Sequence, residues 1–389
     1  MGPSVSIVRC KSYDQEQVLF GLRRALDLIG GPKRFINRDD RVLLKPNLLF
    51  GKAPETAVTT HPSIVKGMIQ IVREVGGNPF IGESPAIESL SKAADRAGIR
   101  AVAEAMNCPL LEFNRPILPQ GEEKEKRRAL FKQMEIDQAV FEADVIINLP
   151  KLKTHEMMFL TLGVKNLFGC IPGARKALWH LRAGEDRKRF ARLLIDLYGV
   201  IHPSLTILDG IVGMEGNGPG GGDPIALGLI LAAADPLHLD QIVCDLLGVP
   251  REALLTNRVA FEEGLGREPI QVVGERIEDV RIHRFRFPAL TEADWNLPGF
   301  LRNLLKNALT SRPVFEEGLC EHCGRCAGVC PPKALITKKK RPVFDYDKCI
   351  RCFCCQEVCP SRAIRIKQGW ALKLTGRRPS YAKAPEGKQ

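Results

Sequence analysis

Eight cysteines near the C-terminus have the types and spacing that do chemistry. Cys320, Cys323, Cys326 and Cys330 follow the pattern C-x2-C-x2-C-x3-C, with Pro331 next. Cys349, Cys352, Cys355 and Cys359 repeat it 29 positions on, with Pro360 next. A cubane iron–sulfur cluster needs four converging thiolates. Three come from a tight loop at x2 spacing, and where two clusters share one module the fourth comes from the other run. The pattern predicts two [4Fe-4S] clusters, one on Cys320, Cys323, Cys326 and Cys359, the other on Cys349, Cys352, Cys355 and Cys330. Zinc is the competing reading, but it takes cysteines as separated C-x2-C pairs, which three successive cysteines fit poorly. Cys354, between two of these positions, is surplus and reads as a packed thiol.

The first 290 residues hold a second set of candidates, on four loops that each follow an apolar run. The first is Lys45-Pro46-Asn47, followed by Thr59-Thr60-His61-Pro62. Lys45 sits in an apolar strand, where an unpaired ammonium is costly, so it should meet a bound anion or a structural carboxylate. The second is Gly82-Glu83-Ser84-Pro85, with Glu83 either a capping group or an acid/base group. The third, Asn148 to His180, is the densest in polar groups. Lys151 and Lys153 alternate along an extended stretch and so could share one face. With Lys165 and Asn166 they form a donor set suited to a carboxylate or phosphate. His155 is the acid/base candidate because imidazole titrates near neutrality, with a structural histidine as the alternative; Lys165 is grouped with it as catalytic. The fourth, Asp209 to Pro224, has seven glycines in sixteen residues and also offers Glu215 and Asn217. It is neither a Walker loop nor a dinucleotide fingerprint, and a tight turn competes with a ligand loop. Lys45, Asn47, Lys151, Lys153, Asn166, Glu215 and Asn217 are thus the substrate-binding candidates.

Strands and helices must position these loops. Strand-like runs at 4–10, 41–49, 78–84, 109–113, 205–210, 270–275 and 279–287 alternate with helix-like runs at 14–29, 61–77, 88–106, 185–201 and 236–248. Residues 143–155 read as a strand running into a loop. Such alternation predicts an α/β fold, a mostly parallel sheet covered by helices, with a small α+β cluster module beside it. The expected organisation is an α/β domain over 1–290, a linker over 291–314 with a short helix near 299–309, the module over 315–368, and a basic, loosely ordered tail over 369–389.

Composition bounds the rest. No run of 18 apolar residues occurs, so no membrane span is expected, and the N-terminus lacks a secretory pattern. Five cysteines lie scattered outside the two ligand sets, which argues for a reducing cytoplasm. The net charge of +12 is local, because residues 301–389 hold 19 Lys+Arg against 7 Asp+Glu while the first 300 residues balance. Lys338, Lys339, Lys340 and Arg341 mark a hairpin there, which reads as a solvated turn or as a patch that steers an acidic redox partner. Aromatic residues are sparse around this charge, so a nucleic-acid partner is the weaker reading.

The segment 315–367 resembles the bacterial two-cluster ferredoxins. The motifs LLKPNLL, TTHPSIVKGMI, LPKLKTH, GVKNLFG and DGIVGMEGNGPGGGDP resemble the family known as domain of unknown function 362, over about residues 5–290. That resemblance implies an iron–sulfur protein and supplies no reaction. From side-chain chemistry, the expectation is an oxidoreductase passing electrons from two clusters to a small anionic substrate. The alternative is an electron carrier or cofactor-assembly factor that docks a partner protein.

Overall fold

The computed structural model describes residues 2–85, 88–119, 130–131, 133–173, 175–288, 308, 310–338 and 341–370. The linker helix expected near 299–309, Ala308 apart, and the tail from 371 lie outside these residues.

The strands are β1 (Ser4–Arg9), β2 (Arg41–Pro46), β3 (Asn78–Glu83), β4 (Leu110–Glu112), β5 (Pro116–Ile117), β6 (Ile136–Asp137), β7 (Val145–Leu149), β8 (Lys151–His155), β9 (Phe159–Thr161), β10 (Leu205–Glu215), β11 (Asp223–Ala233) and β12 (Gln271–Gly274). Ten of them form one sheet in the order β12-β1-β11-β10-β7-β2-β3-β4, with β8 added to β10 and β9 to β8. Neighbours along β10-β7-β2-β3-β4 all run parallel, and β11 is antiparallel to both β1 and β10. The fold is therefore α/β with a mostly parallel sheet. Alternation sets the two layers: Val42 and Leu44 pack on one face with helices Gln15–Asp27 and Pro62–Glu74, whereas Leu43 joins the other face with helix Arg187–Ile201.

Several elements differ from the sequence expectation for local reasons. The run 88–106 is two helices, Leu90–Arg96 and Ile99–Ala105, because Gly98 turns left-handed at φ 71°. Lys151–His155 is a strand and not a loop, since β10 continues to Glu215 and gives β8 a parallel partner. Residues 281–287 form no ladder. Arg286 instead exchanges backbone bonds with the Glu215 carboxylate and Gly216, while Phe285 and Phe287 pack on the core.

The cysteine module has two similar halves. Helix Arg325–Gly328 and strand β14 (Leu335–Lys338) recur 29 positions on as helix Cys354–Glu357 and β16 (Ile364–Lys367). β14 pairs with β15 (Arg341–Phe344), and β16 pairs with β13 (Arg312–Phe315). The second half is built into the large domain, where Cys352, Phe353 and Cys354 belong to the hydrophobic cluster that includes Phe168 and Phe190.

Candidate active site at the sheet's carboxyl edge

Parallel strands β2, β3 and β7 end on one edge, where ligands of open α/β sheets bind. Two of their last residues form a buried ion pair: Lys45 Nζ lies 2.6 Å from Glu83 Oε2, and both side chains are buried. Glu83 Oε1 also accepts from Ser84 N at 2.8 Å, and Lys45 Nζ donates to the Pro46 carbonyl at 3.2 Å. Gly169 closes over the pair; a Cβ there would stand 2.2 Å from Glu83 Oε1. Lys45 is thus held by a carboxylate of its own chain.

Three asparagines knit the edge together. Asn166 Nδ2 donates to Asn148 Oδ1 at 2.8 Å, and Asn47 Nδ2 donates to Asn166 Oδ1 at 2.9 Å. Asn166 ends the short helix Gly163–Asn166, whose first amides donate to Asp240 at 2.7 and 3.1 Å. That cap orients Lys165. A side chain at 163 would meet Pro236 at 2.8 Å, which is why glycine starts this helix.

Of these groups Asn47, Glu83 and Asn166 line a cavity of about 70 Å³ together with Ser84, Lys153, Thr161, Lys165, Lys176 and Glu357. That space holds a small anion or a few waters, as a single water needs only ~10–15 Å³ on the same measure. Lys153 Nζ donates to the Val58 carbonyl at 2.6 Å, and Lys176 Nζ to the Ser84 carbonyl at 2.6 Å. Lys165 acts on its neighbours among the described residues through charge alone. Burial lowers all three ammonium pKa values, to about 7 for Lys153 and about 8 for Lys176. With Glu83 neutralised by Lys45, three ammonium groups face one carboxylate, Glu357. Asn47 Oδ1 and Thr161 Oγ1 are buried there without a hydrogen-bond partner. The cavity is built for a polar, anionic occupant.

Glu357 comes from the cysteine module. Its Oε1 stands 3.0 Å from His155 Nε2, and both side chains are buried. The contact is in ion-pair range but not aligned as a hydrogen bond, so both atoms keep unfilled capacity. His155 Nδ1 accepts from the Met157 and Met158 amides at 3.1 and 3.3 Å, which leaves Nε2 to carry the hydrogen. Burial first, then Lys165, pushes His155 down to about 4. Burial alone would raise Glu357; facing cations, His155 and Lys165 among them, outweigh it and hold the carboxyl at about 2. With His155 neutral near pH 7, Lys165 is the cation that matters to Glu357.

The expected site residues separate into groups. Lys45, Asn47, Lys153, Lys165 and Asn166 gather at or directly beneath the cavity, and His155 lies behind it, screened by Glu357. Lys151 points elsewhere, to Asp209 Oδ2 at 2.8 Å and the Tyr13 hydroxyl at 2.6 Å. Glu215 is tied to Arg286 at 2.7 Å. The Asn217 carbonyl accepts from Gln356 Nε2 at 2.9 Å. The glycine-rich stretch is the seat of the cysteine module, since a Cβ at Gly220 would lie 2.4 Å from the Glu357 carbonyl. Sequence reasoning passed over Lys176 and Glu357. The position of Glu357 between Cys355 and Cys359 was its one available signal.

The module's thiols fall into two neighbourhoods. Cys320, Cys323, Cys326 and Cys359 ring one small hollow. Burial raises the pKa of Cys330, and the nearby thiols Cys352 and Cys349 add to it; Cys355 is raised by burial and then by Cys352, Cys349 and Cys330, with Cys326 of the first set last. A thiol-lined hollow and a second group of neighbouring thiols fit a group that takes thiolate ligands. Among the described residues no three His, Cys, Asp or Glu side chains gather around a single ion. A cubane spreads its ligands over several irons.

Comparison with known proteins places this geometry. The domain of unknown function (DUF362) matches residues 42–245, and a 4Fe-4S dicluster domain matches residues 312–360. The thylakoid-associated protein sll1697 of Synechocystis sp. is 38% identical over 312 residues, covering 79% of this chain and 95% of that protein. A Thermotoga maritima protein of solved crystal structure has 15% identity and a TM-score of 0.32, covering 51% of this chain and 50% of its own. The lactate racemase apoprotein of Thermoanaerobacterium thermosaccharolyticum has 11% identity and a TM-score of 0.38, covering 61% of this chain and 56% of its own. The chain thus spans little more than half the length of these two solved structures. With more than half of its residues inside one family and a close relative along most of its length, the chain belongs to the DUF362 family and binds iron–sulfur through its dicluster domain.

Proposed function

We propose that this iron–sulfur protein is an oxidoreductase that reduces a small anion held in the cavity of Lys153, Lys165 and Lys176. The proposal includes two [4Fe-4S] clusters, one on Cys320, Cys323, Cys326 and Cys359, the other on Cys349, Cys352, Cys355 and Cys330. When bound, such clusters supply electrons one at a time. One observation carries the reading: Glu357, on the stretch between Cys355 and Cys359, lines the same cavity as the three lysines.

The chain's own groups then divide the work. Lys165, with Lys153 and Lys176 beside it, binds the anion and offsets the negative charge that reduction adds. Asn47 and Asn166 orient it through the asparagine network. Lys45 and Glu83 support the floor as a fixed pair. A two-electron reduction that adds two hydrogens also consumes two protons; Lys153 and Lys176, which burial brings to about 7 and about 8, hold transferable protons at the cavity, and the ionised Glu357 with His155 behind it relays their replacement. Glu357 faces the substrate and His155 backs it. A reducing, cytoplasmic setting belongs to the same proposal; all thirteen cysteines are free of disulfides. Among the described residues no helix is long and apolar enough to cross a membrane.

The test uses anaerobic protein with chemically reduced centres, reoxidised by low-molecular-mass cell metabolites. His155→Ala and Lys165→Ala should each lose reoxidation while iron content and absorbance stay intact. Unchanged reoxidation in His155→Ala would remove the proton role. The second reading, an electron carrier or assembly factor, draws on the exposed Cys323 at the module's outer face.

A further inference from the structure

The two cysteine runs differ in access. In the second run Cys352 is buried against the large domain, Cys355 and Cys359 are buried within the module and Cys349 is half-buried, whereas in the first run Cys323 is exposed and Cys320, Cys326 and Cys330 are half-buried. The first run opens onto a groove of about 420 Å³ between the module and the large domain. Lys52, Arg96 and Arg325 line it, against a single lining acid, Glu321. Lys52 is braced across the junction by the Pro360 carbonyl at 3.2 Å. Arg96 is half-exposed and pairs with Glu88 at 3.5 Å, so three cations stand at the groove against Glu321 and Glu88. The groove is separate from the lysine cavity, which lies on the buried side of the module.

We propose that this groove docks an acidic one-electron carrier protein, which meets the first cysteine run at Cys323. Docking there gives electron flow an order, from the exposed run to the buried run and on to the cavity that Glu357 lines. Each encounter moves one electron from the carrier to the iron–sulfur centre of the first run, and no bond forms or breaks. Carrier contacts are small and transient, so charge complementarity and steering set their rate more than buried area does. The excess of 19 Lys+Arg over 7 Asp+Glu in residues 301–389 adds a long-range attraction of the same sign. The inference rests on the reading that the centres exchange electrons, but it needs no substrate in the cavity.

The test therefore reads the centres and not turnover. Full-length, cluster-loaded protein is mixed anaerobically in stopped flow with a reduced, strongly acidic [2Fe-2S] carrier protein as probe. Reduced methyl viologen serves as a reductant that needs no docking. Lys52→Glu/Arg96→Glu should slow reduction by the acidic carrier about tenfold or more at low salt. The rate with viologen should be unchanged, and Glu321→Lys should speed the carrier reaction. The apparent Kd for the oxidised carrier, by calorimetry, should weaken by a similar factor in the double variant. Equal carrier rates in wild type and double variant overturn the proposal. So does an equal loss from Arg38→Glu, a reversal at an exposed site in the charge-balanced part of the chain. Reduction of the centres with no response from the metabolite fraction would refute the anion reductase and leave the docking groove standing.

Discussion

Replacing Glu357 by glutamine separates two effects of one carboxylate. Its charge faces the same cavity as three ammonium groups, so it repels the anion they attract. At a separation of about 5 Å and an effective dielectric of ~20, two unit charges interact by about 3 kcal/mol. Tenfold in affinity is about 1.4 kcal/mol, so even half of that repulsion is worth roughly tenfold. Glu357→Gln should therefore bind formate or sulfate about ten- to a hundredfold more tightly than wild type. It should also lose reoxidation of the reduced centres, because an amide cannot take up and pass on protons as the ionised carboxylate does. Titration calorimetry with formate and sulfate on anaerobic, iron-replete protein measures the affinity. An affinity that stays the same or weakens, with iron content intact, refutes the placement of Glu357 in the anion site.

Three further predictions follow from the same geometry. Lys45→Met strands a buried carboxylate and should cost about 3–5 kcal/mol in chemical denaturation, whereas Lys45→Met/Glu83→Leu should recover most of it; a single variant as stable as wild type contradicts the pair. Anion affinity should fall as pH rises through about 7 to 8, where Lys153 and Lys176 lose the protons that attract the anion. Both folded pKa values lie below the 10.5 of the unfolded chain, so the burial penalty of these lysines is full below about 7 and is relieved from there to 10.5; formate calorimetry from pH 6 to 9 that shows a flat affinity contradicts this. Gly220→Ala pushes a Cβ into the Glu357 carbonyl and should loosen the module's seat by about 1–3 kcal/mol; limited proteolysis should then cut faster between the two parts, and an unchanged pattern would mean the loop does not hold the module.

What the sequence disclosed follows from how local each signal is. The cysteine spacing is a purely local code, so the iron–sulfur character is legible in the chain alone. The α/β layers are legible because apolar strands and helices repeat in alternation. Lys45 stands out as needing a partner, but that partner, Glu83, lies 38 positions away on the adjacent strand, and only the parallel pairing of β2 with β3 joins them. Glu357 looks like one more residue between two ligands; its meaning depends on the module folding back onto His155. The glycine-rich stretch misleads for a related reason. Its glycines make room for a protein backbone, that of Glu357, and composition cannot tell that from room for a ligand. Residues 279–287 show a strand's alternation, yet the Glu215 carboxylate takes the Arg286 amide that a ladder would need.

In the proposed function, electrons held by the cysteine module leave through a small molecule bound beside Glu357. The most direct test is to reduce the centres anaerobically and add size-separated cell fractions while following their absorbance. Reoxidation by the low-molecular-mass fraction, lost in Lys165→Ala, is the predicted result. Reoxidation by the protein fraction alone, with Lys165→Ala behaving as wild type, would refute the anion reductase and make the chain a carrier.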